Sequence, residues 1–359
     1  MLEQQKQVSQ VDAGGEKRTE LEGIRQKVFM DRYSLKDPSG KPLEHYPEQL
    51  WARVARGIAE VETTPEKQAF WEKRFYEVLS DFQFVPGGRI LAGAGSGHQV
   101  TFYNCYVIPS PEDSRQGILD NLKVMTEIMA RGGGVGINLS SLRPRGSYIK
   151  TVNGTASGPC SWAQLYSVAT GDVIQQGGSR RGALMLMLDD THPDVEEFIT
   201  VKRTAGKIEH ANLSVSVSDA FMEAVKNDSD WDLIWQGEVK KTIRARDLWD
   251  LICKSAWASA EPGMVFMDRY NKMSNTWYYE DIRCVNPCVT GDTLIYTDRG
   301  LLPAKELAET GLPIKVVSPN IPVKELALAG HAKNSMPSSV SSLNENIAVR
   351  QASHVFPTG

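Results

Sequence analysis

A helix passes directly into a buried strand at Arg131-Gly132-Gly133-Gly134-Val135-Gly136-Ile137-Asn138-Leu139. The residues before this stretch repeat apolar side chains at helical spacing, and those from Val135 onward form an apolar run typical of a strand covered on both faces. Glycine between them permits positive φ and lets backbone approach another group closely. The stretch therefore predicts a helix-to-strand joint in an α/β fold.

The same alternation of strands and helices extends in both directions from this joint. Apolar or alternating runs predict further strands at residues 102–108, 183–188, 213–217 and 264–266. Helices are predicted to begin near Asp113-Ser114, at Ser161 and at Thr191. Strands buried on both faces and separated by helices favour a mostly parallel sheet or a barrel, and periodicity leaves these two open.

A helical region is predicted to precede these strands. Residues 1–23 are polar, contain a Gly14-Gly15 break and are expected to form a disordered tail. Within residues 24–85, Leu50, Val54 and Ile58 recur at helical spacing, and Thr64-Pro65 supplies a cap and first-turn proline for the next helix.

Composition excludes several classes of protein. The chain has 359 residues, enough for two or three domains, and a formal net charge of -4, which gives no electrostatic footprint for nucleic acid or an anionic membrane. It contains no apolar run of membrane-spanning length, so we expect a cytoplasmic protein. Five cysteines without metal-ligand spacing predict neither a disulfide framework nor a metal site, and Cys253 is expected to pack in the core.

Three glycine-rich joints carry the strongest chemical signal. They lie at residues 86–93, 131–136 and 175–182, and the first is expected to lead from a helix into a strand. Their arginines supply planar forks for phosphate, although no joint has the spacing of a phosphate loop or a dinucleotide fingerprint. Each joint alone is better interpreted as a tight turn, whereas the three together favour a nucleotide.

Four motifs occur in an order and spacing that resemble the catalytic subunit of a ribonucleotide reductase. They are Asn104-Cys105-Tyr106-Val107 in a strand expected to be buried, the 132–138 run followed by residues 142–147, the 176–182 loop, and Asn286-Pro287-Cys288. Gly87-Gly88-Arg89-Ile90 and the short helical region resemble the adenosylcobalamin-dependent (class II) branch. The resemblance covers residues 24–288 and implies part of a ten-stranded α/β barrel over residues 86–287.

The resemblance implies an activity and its substrate site. Such enzymes convert ribonucleoside diphosphates to 2′-deoxyribonucleotides by thiyl-radical chemistry, here with adenosylcobalamin, and a thioredoxin-like protein restores the thiols. Cys105 would be the first member of the reducing pair, and Asn286 the amide that positions the ribose hydroxyls. Asn104 and Gly134 match substrate contacts, while Gly88 stands where relatives place a hydroxyl residue.

The resemblance also implies an allosteric dNTP site at the interface of a homodimer. The matching positions are Asp113, Ser114, Arg143, Gly177, Gly178, Ser179, Arg180 and Arg181. A helix N-terminus and an arginine suit a nucleotide physically. Asp113 and Ser114 are also suited to cap their helix, and the two roles are compatible.

A second resemblance begins at Cys288. The run Val289-Thr290-Gly291-Asp292-Thr293-Leu294-Ile295-Tyr296 resembles the opening block of an intein, an all-β Hint-type domain whose first residue is a nucleophilic cysteine. The reductase family continues Asn-Pro-Cys with Gly-Glu, whose carboxylate is the general base. Val289-Thr290 stands in place of Gly-Glu here, so Cys288 is assigned to an intein at residues 288–359. The thiyl cysteine of the reductase is then expected beyond this chain, and the reductase part of the chain is expected to be an incomplete fragment.

Three alternatives remain open. The large subunit of a metal-radical (class I) reductase would show the same motifs. A regulatory nucleotide-binding protein without redox chemistry would use Asn286-Pro287-Cys288 only as a turn. An ordinary β-hairpin with a chance cysteine would account for the residues after Cys288.

Overall fold

The computed structural model describes residues 9–11, 17–173 and 183–286, together with four later strands at residues 294–297, 300–303, 314–319 and 347–352. Side chains are described for residues 18–171 and 183–286. The predicted loop glycines and arginines at 177–181, and Cys288, lie outside the described residues.

The described residues among the first hundred form a small helical unit. Strand β1 (Ser9–Val11) pairs antiparallel with β2 (Lys17–Thr19), within the segment expected to be a disordered tail. Four helices follow, which are α1 (Gly23–Val28), α2 (Pro47–Ala59), α3 (Pro65–Leu79) and α4 (Gly88–Gly93). The predicted cap is confirmed, since the Thr64 hydroxyl accepts a hydrogen bond from the Lys67 amide.

A buried ion pair ties this helical unit together. Arg53 on α2 contacts Glu44 at 2.6 Å, and both side chains are less than a tenth exposed. The same guanidinium donates to the carbonyl oxygens of Leu91 and Ala94 at the end of α4. The Glu44 carboxylate compensates the buried charge of Arg53. The bonds from Arg53 to the two carbonyl oxygens fix α2 against α4.

The first glycine-rich joint differs from its prediction. Residues 86–93 were expected to lead into a strand, but Gly88 to Gly93 form α4, and the Gly87 carbonyl accepts from the amides of Ile90 and Leu91. The run Arg-Ile-Leu-Ala has good helix formers directly after a residue that can begin a turn. The first strand of the main sheet therefore begins only at Cys105.

The main sheet is five-stranded and entirely parallel. Its spatial order is β11-β8-β7-β4-β3, with β3 at Cys105–Val107, β4 at Gly134–Asn138, β7 at Leu184–Asp189, β8 at Asn212–Val217 and β11 at Gly263–Phe266. This confirms the predicted parallel α/β architecture, and it is consistent with the barrel domain that the resemblance implied.

Helices and two small hairpins connect these strands. The helices are α5 (Arg115–Ala130), α6 (Pro159–Val168), α7 (Val195–Thr200), α8 (Asp219–Asn227), α9 (Ala245–Ser259) and α10 (Met267–Met273). The hairpins pair β5 (Tyr148–Ile149) with β6 (Gly154–Thr155), and β9 (Asp230–Trp235) with β10 (Glu238–Arg244). None of the described helices has the length and apolarity needed to cross a bilayer.

The two faces of the sheet are covered unequally. Leu184, Leu186 and Leu188 of β7 join a large core, whereas the alternate residues Met185 and Met187 join a small one. Successive strand side chains point to opposite faces, so the two cores lie on opposite sides of the sheet. The small core is completed by Val265, Met267, Ile282, Cys284 and Val285.

Four more strands follow the sheet domain. They are β12 (Leu294–Thr297), β13 (Gly300–Pro303), β14 (Ile314–Pro319) and β15 (Ile347–Ala352). They pair antiparallel in the order β13-β12-β14-β15. The backbone of this segment is therefore all-β where it is described.

Candidate active site

An irregular segment, residues 282–286, covers the thinly packed face of the sheet, and we call it the strap. Its first residue is held by Asn271 of α10, whose side chain donates to the Ile282 carbonyl at 2.9 Å and accepts from the Ile282 amide at 2.6 Å. Both backbone polar groups of Ile282 are thus paired with one side-chain amide, which satisfies them without a neighbouring strand.

The second residue of the strap is held at the carboxyl end of β4. The Asn138 amide donates to the Arg283 carbonyl at 2.9 Å and to the Asp189 carboxylate at 2.9 Å. Its oxygen accepts from the Ser140 amide at 2.8 Å. Asn138 is buried, and its side-chain bonds join two strand ends to the strap.

The strap then crosses β4 at very short range. A Cβ atom placed on Gly136 would lie 2.4 Å from the Val285 carbonyl oxygen and 3.1 Å from the Cys284 sulfur. A Cβ atom on Gly134 would lie 3.0 Å from the Asn286 side-chain oxygen. Only glycine allows this approach. The glycines of residues 131–139 therefore make room for the strap as well as forming the helix-to-strand joint.

Four of the predicted site residues meet at the amino end of β4. The Gly134 amide donates to the Asn104 carbonyl at 2.8 Å, and Cys105 is the register partner of Gly134. Asn286 lies against the same glycine from the strap. Within the described residues, the buried Asn286 nitrogen has no hydrogen-bond partner. A buried donor without a partner is costly and points to a ligand contact.

Two cysteines are placed differently from their predictions. Cys105 was expected in a buried strand, but it is exposed, because β3 is an edge strand of the described sheet. Cys253 was expected in the core, but it is exposed because it is rotated by one helical step from the fully buried Ile252.

Cys284, left without a role by the sequence, is buried in the strap. Burial raises the pKa of its thiol to about 12. The thiol donates to the Val285 carbonyl at 3.4 Å. The protonated form therefore prevails at neutral pH, and this cysteine suits packing better than nucleophilic chemistry.

The predicted allosteric residues are partly assembled. The Arg143 guanidinium donates to the Asp113 carboxylate at 2.8 Å, and the Arg143 amide donates to the same carboxylate at 3.1 Å. Ser114 caps α5 by accepting from the Gly117 amide at 2.9 Å, which confirms its predicted capping role. Gly88 lies elsewhere, at the start of α4 near the Tyr33 hydroxyl.

A polar cleft of about 680 Å³ opens at the other end of the sheet. Its walls carry serine hydroxyls and the carboxylates of Asp189, Asp190, Asp268 and Asp281. Burial raises the pKa of Asp190 to about 6, although the Ser218 amide and hydroxyl both donate to its carboxylate. In the part of the chain whose side chains are described, no group of three ligand-type residues could hold a metal ion.

Family comparisons agree with this architecture. The family described as ribonucleotide reductase, barrel domain, matches residues 103–298, which is more than half of the chain. The chain belongs to the ribonucleotide reductase family. The all-alpha domain of the same family matches residues 20–99, so the helical unit is part of the shared architecture.

Three curated proteins illustrate which members of the family are similar to this chain. The chain is 38% identical over 266 residues to a vitamin B12-dependent ribonucleoside-diphosphate reductase of Mycobacterium tuberculosis, covering 73% of this chain and 38% of the relative. A protein of the same name from Thermoplasma acidophilum is 38% identical over 231 residues, 64% of this chain and 30% of its own length. The ribonucleoside-diphosphate reductase large chain of Cryptosporidium parvum is 30% identical over 297 residues, 74% of this chain and 36% of the relative. The chain thus spans less than two fifths of each relative.

Sequence reasoning missed the two asparagines that hold the strap. Asn138 ends an otherwise apolar buried strand, and a polar side chain at that position was a usable signal. Asn271 lies on a short helix among other polar residues, and nothing in its local pattern distinguishes it.

The close approach at Gly136 generates a stability prediction. Gly136→Ala forces a methyl group against the Val285 carbonyl, so we expect the strap to be displaced and the free energy of unfolding to fall by about 1–3 kcal/mol. Gly154→Ala is the matched control, since a Cβ atom placed there would meet nothing closer than the Val152 side chain at 3.7 Å. Chemical denaturation followed by tryptophan fluorescence measures both. Equal stability of the two variants would contradict the close approach.

Proposed function

We propose that this chain belongs to a ribonucleoside-diphosphate reductase of the cobalamin-dependent branch, and that Cys105, Asn286, Asn104 and Gly134 form part of its substrate site. One observation carries the proposal. Segments that are far apart in sequence converge on Gly134, and one of them presents a buried amide nitrogen that has no partner among the described residues. A donor in that position suits a ribose hydroxyl.

The electron balance of the reaction gives Cys105 its role. Two thiols become one disulfide and supply two electrons and two protons to the ribose. The 2′ carbon–oxygen bond breaks, a carbon–hydrogen bond forms in its place, and the hydroxyl leaves as water. Cys105 would provide one of these thiols, and its exposure supports later reduction by a thioredoxin-like protein.

Asn286 and Gly134 act on the substrate before any bond changes. The Asn286 nitrogen would donate to a ribose hydroxyl, which fixes the sugar relative to Cys105. Gly134 would let the sugar approach the backbone, because it has no side chain. Asn104 holds this arrangement through its carbonyl, which accepts from the Gly134 amide.

Two relatives at 38% identity are named as vitamin B12-dependent, which supports a cobalamin as the cofactor, and its adenosyl form is taken from the family resemblance. When bound, it would supply the radical that starts the reaction. The described residues do not fit such a group: the cleft of about 680 Å³ is lined by hydroxyls and carboxylates, and it lies at the opposite end of the sheet from Asn286. The chemistry assigned to these residues is therefore confined to binding the ribose and supplying a reducing thiol.

The metal-radical large subunit is the second candidate, because the Cryptosporidium parvum large chain is also similar to this chain. The two candidates differ in the source of the radical, and both use the same site residues. A requirement for a second subunit therefore separates them.

The proposed activity is tested with the product of the complete coding sequence. Under anaerobic conditions with adenosylcobalamin and dithiothreitol, we expect it to reduce CDP without a second subunit, and we expect Cys105→Ser to abolish turnover. Cys253→Ser, which changes another exposed cysteine, should retain it. Turnover only with a metal-radical subunit would support the second candidate. Nucleotide binding without turnover under either condition would favour the regulatory protein.

A dNTP site is proposed around Asp113, Ser114 and Arg143, together with the loop residues 177–181. The described part of this site pairs a helix N-terminus with an arginine, which suits a polyphosphate. Its place at a homodimer interface is likewise a proposal taken from the family.

Removal of Arg143 tests this site on the 359-residue chain. Arg143→Ala should weaken dATP binding at least about tenfold in calorimetry, because a charge-assisted phosphate contact is lost. Arg145→Ala is the control, since it removes the same charge from an arginine outside the proposed site, whose side chain bonds Glu197. Equal affinity of the two variants, or no binding by a folded wild-type sample, would count against the site.

The last part of the proposal concerns Cys288 and the residues after it. We assign Cys288 as the nucleophile of an intein occupying residues 288–359, on the sequence pattern 289–296 and supported by the antiparallel pairing of β12 to β15. Cys288 itself lies outside the described residues, and the barrel-domain match continues past it to residue 298. In this assignment the thiyl cysteine is a different residue from Cys288.

Replacement of Cys288 tests the assignment. An intein begins with attack of its first thiolate on the preceding carbonyl, here that of Pro287, so Cys288→Ala should block splicing in the product of the complete coding sequence. Mass spectrometry would then show an unspliced precursor and assays would show no turnover. An active, spliced enzyme from the Cys288→Ala gene would show that Cys288 is not the nucleophile.

A further inference from the structure

The strap reaches the candidate site through two successive clamps. At the first, Asn271 bonds both the amide and the carbonyl of Ile282, which fixes the rotation of that residue as well as its position. The clamp is independent of the Ile282 side chain, because it uses only backbone groups. Asn271 lies on α10, and Met267 at the start of that helix is buried in the core that includes the strap residue Cys284.

At the second clamp, Asn138 is itself fully constrained. Its nitrogen bonds the Asp189 carboxylate and the Arg283 carbonyl, while its oxygen accepts from the Ser140 amide. The side chain cannot turn without breaking bonds to Ser140 after β4, to Asp189 of β7 and to the strap. The Arg283 carbonyl is therefore fixed relative to the end of β4.

Beyond the clamps the strap has little slack. Residues 283–286 pass from the carboxyl end of β4, at Asn138, to its amino end, at Gly134. Four residues extend at most about 3.3–3.6 Å each, so a segment this short spans the five-residue strand only together with the side chains of Asn138 and Asn286 at its two ends. A shift at Ile282 or Arg283 is therefore transmitted along the strap to Asn286.

We propose that Asn271 and Asn138 are positioning residues, which set the register of the strap and thereby place the Asn286 side chain against Gly134. The position of the Asn286 side chain against Gly134 is observed among the described residues. Its consequence for catalysis rests on the proposed function, in which Asn286 binds the ribose. Neither asparagine lies at Gly134, so both act on the substrate through Asn286.

The cysteines provide an internal readout of strap register. Cys284 lies in the middle of the strap and is 1% exposed, whereas Cys160 is 4% exposed in the large core on the other face. Cys105 and Cys253 are exposed, so their modification rates serve as the reference for accessible cysteines. Release of the strap would expose Cys284 while leaving Cys160 protected, and global loosening would expose both.

The experiment measures iodoacetamide modification of each cysteine in the 359-residue chain by mass spectrometry. Asn271→Ala removes both bonds to Ile282, and we expect Cys284 to be modified about tenfold faster with the Cys160 rate unchanged. Asn138→Ala should act in the same direction. Asn227→Ala is the matched control, since its amide bonds Glu223 on the surface of α8, and it should change neither rate.

A second variant covers the case in which Asn271→Ala fails to fold. Asn271→Asp retains an acceptor for the Ile282 amide but sets a carboxylate oxygen against the Ile282 carbonyl, so we expect faster modification of Cys284 alone. Equal acceleration of Cys284 and Cys160, or no acceleration at Cys284, would overturn the proposal.

Turnover by the product of the complete coding sequence tests the catalytic consequence separately. Asn271→Ala and Asn286→Ala should each lower kcat, and the double variant should be no worse than Asn286→Ala, because both act through one contact. Independent, additive losses would overturn the positioning role. Absence of turnover in wild type would refute the proposed function, and the cysteine measurement would still decide the placement of the strap.

Discussion

The contact between an extended backbone and the face of β4, at a range that only glycine permits, is the constraint on which the candidate site depends. A methyl group at Gly136 would lie 2.4 Å from the Val285 carbonyl. Without that approach, Asn286 would not reach Gly134, the residue at which Asn104 and Cys105 also meet β4. Glycine is also required at the end of α5, where Gly132 adopts a φ of +89°.

The unequal cores explain why the strap needs polar clamps. The large core packs helices against the sheet, and burial of apolar area stabilises that side. The opposite face carries only a small cluster containing three methionines, Met185, Met187 and Met267, which pack adaptably but specify position weakly. None of the described strands pairs with the strap in a regular ladder. Amide side chains at Asn138 and Asn271 pair three of its backbone groups, and these directional hydrogen bonds fix what packing leaves loose.

Location decides which thiol suits redox chemistry. Cys284 lies within the same segment as Asn286, but burial raises its pKa to about 12 and keeps it protonated. Cys105 lies on an edge strand and is exposed, so a reductant can reach it. The proposed site residues gather at the amino end of the parallel strands, whereas the open cleft lies at the carboxyl end, where ligands of open α/β sheets usually bind. In this chain the strap places the Asn286 side-chain amide at the amino end of the strands.

Local patterns were sufficient for much of the fold. The five strands of the main sheet, the helices near Ser114 and Ser161, the caps at Thr64 and Ser114, and the order of the family motifs follow from neighbouring residues, because periodicity and capping are short-range effects. The β5–β6 and β9–β10 hairpins were not predicted. The same patterns misplaced Cys105, since a strand's own residues do not show whether it lies at an edge, and Cys253, which lies one helical step from the buried Ile252. They also missed the strap. Asn138 and Arg283 are 145 positions apart, and their hydrogen bond exists only after the sheet has formed and the chain has returned across it. Sequence could therefore name Asn286 as a candidate, while its place beside Gly134 depends on long-range contacts that no local pattern encodes.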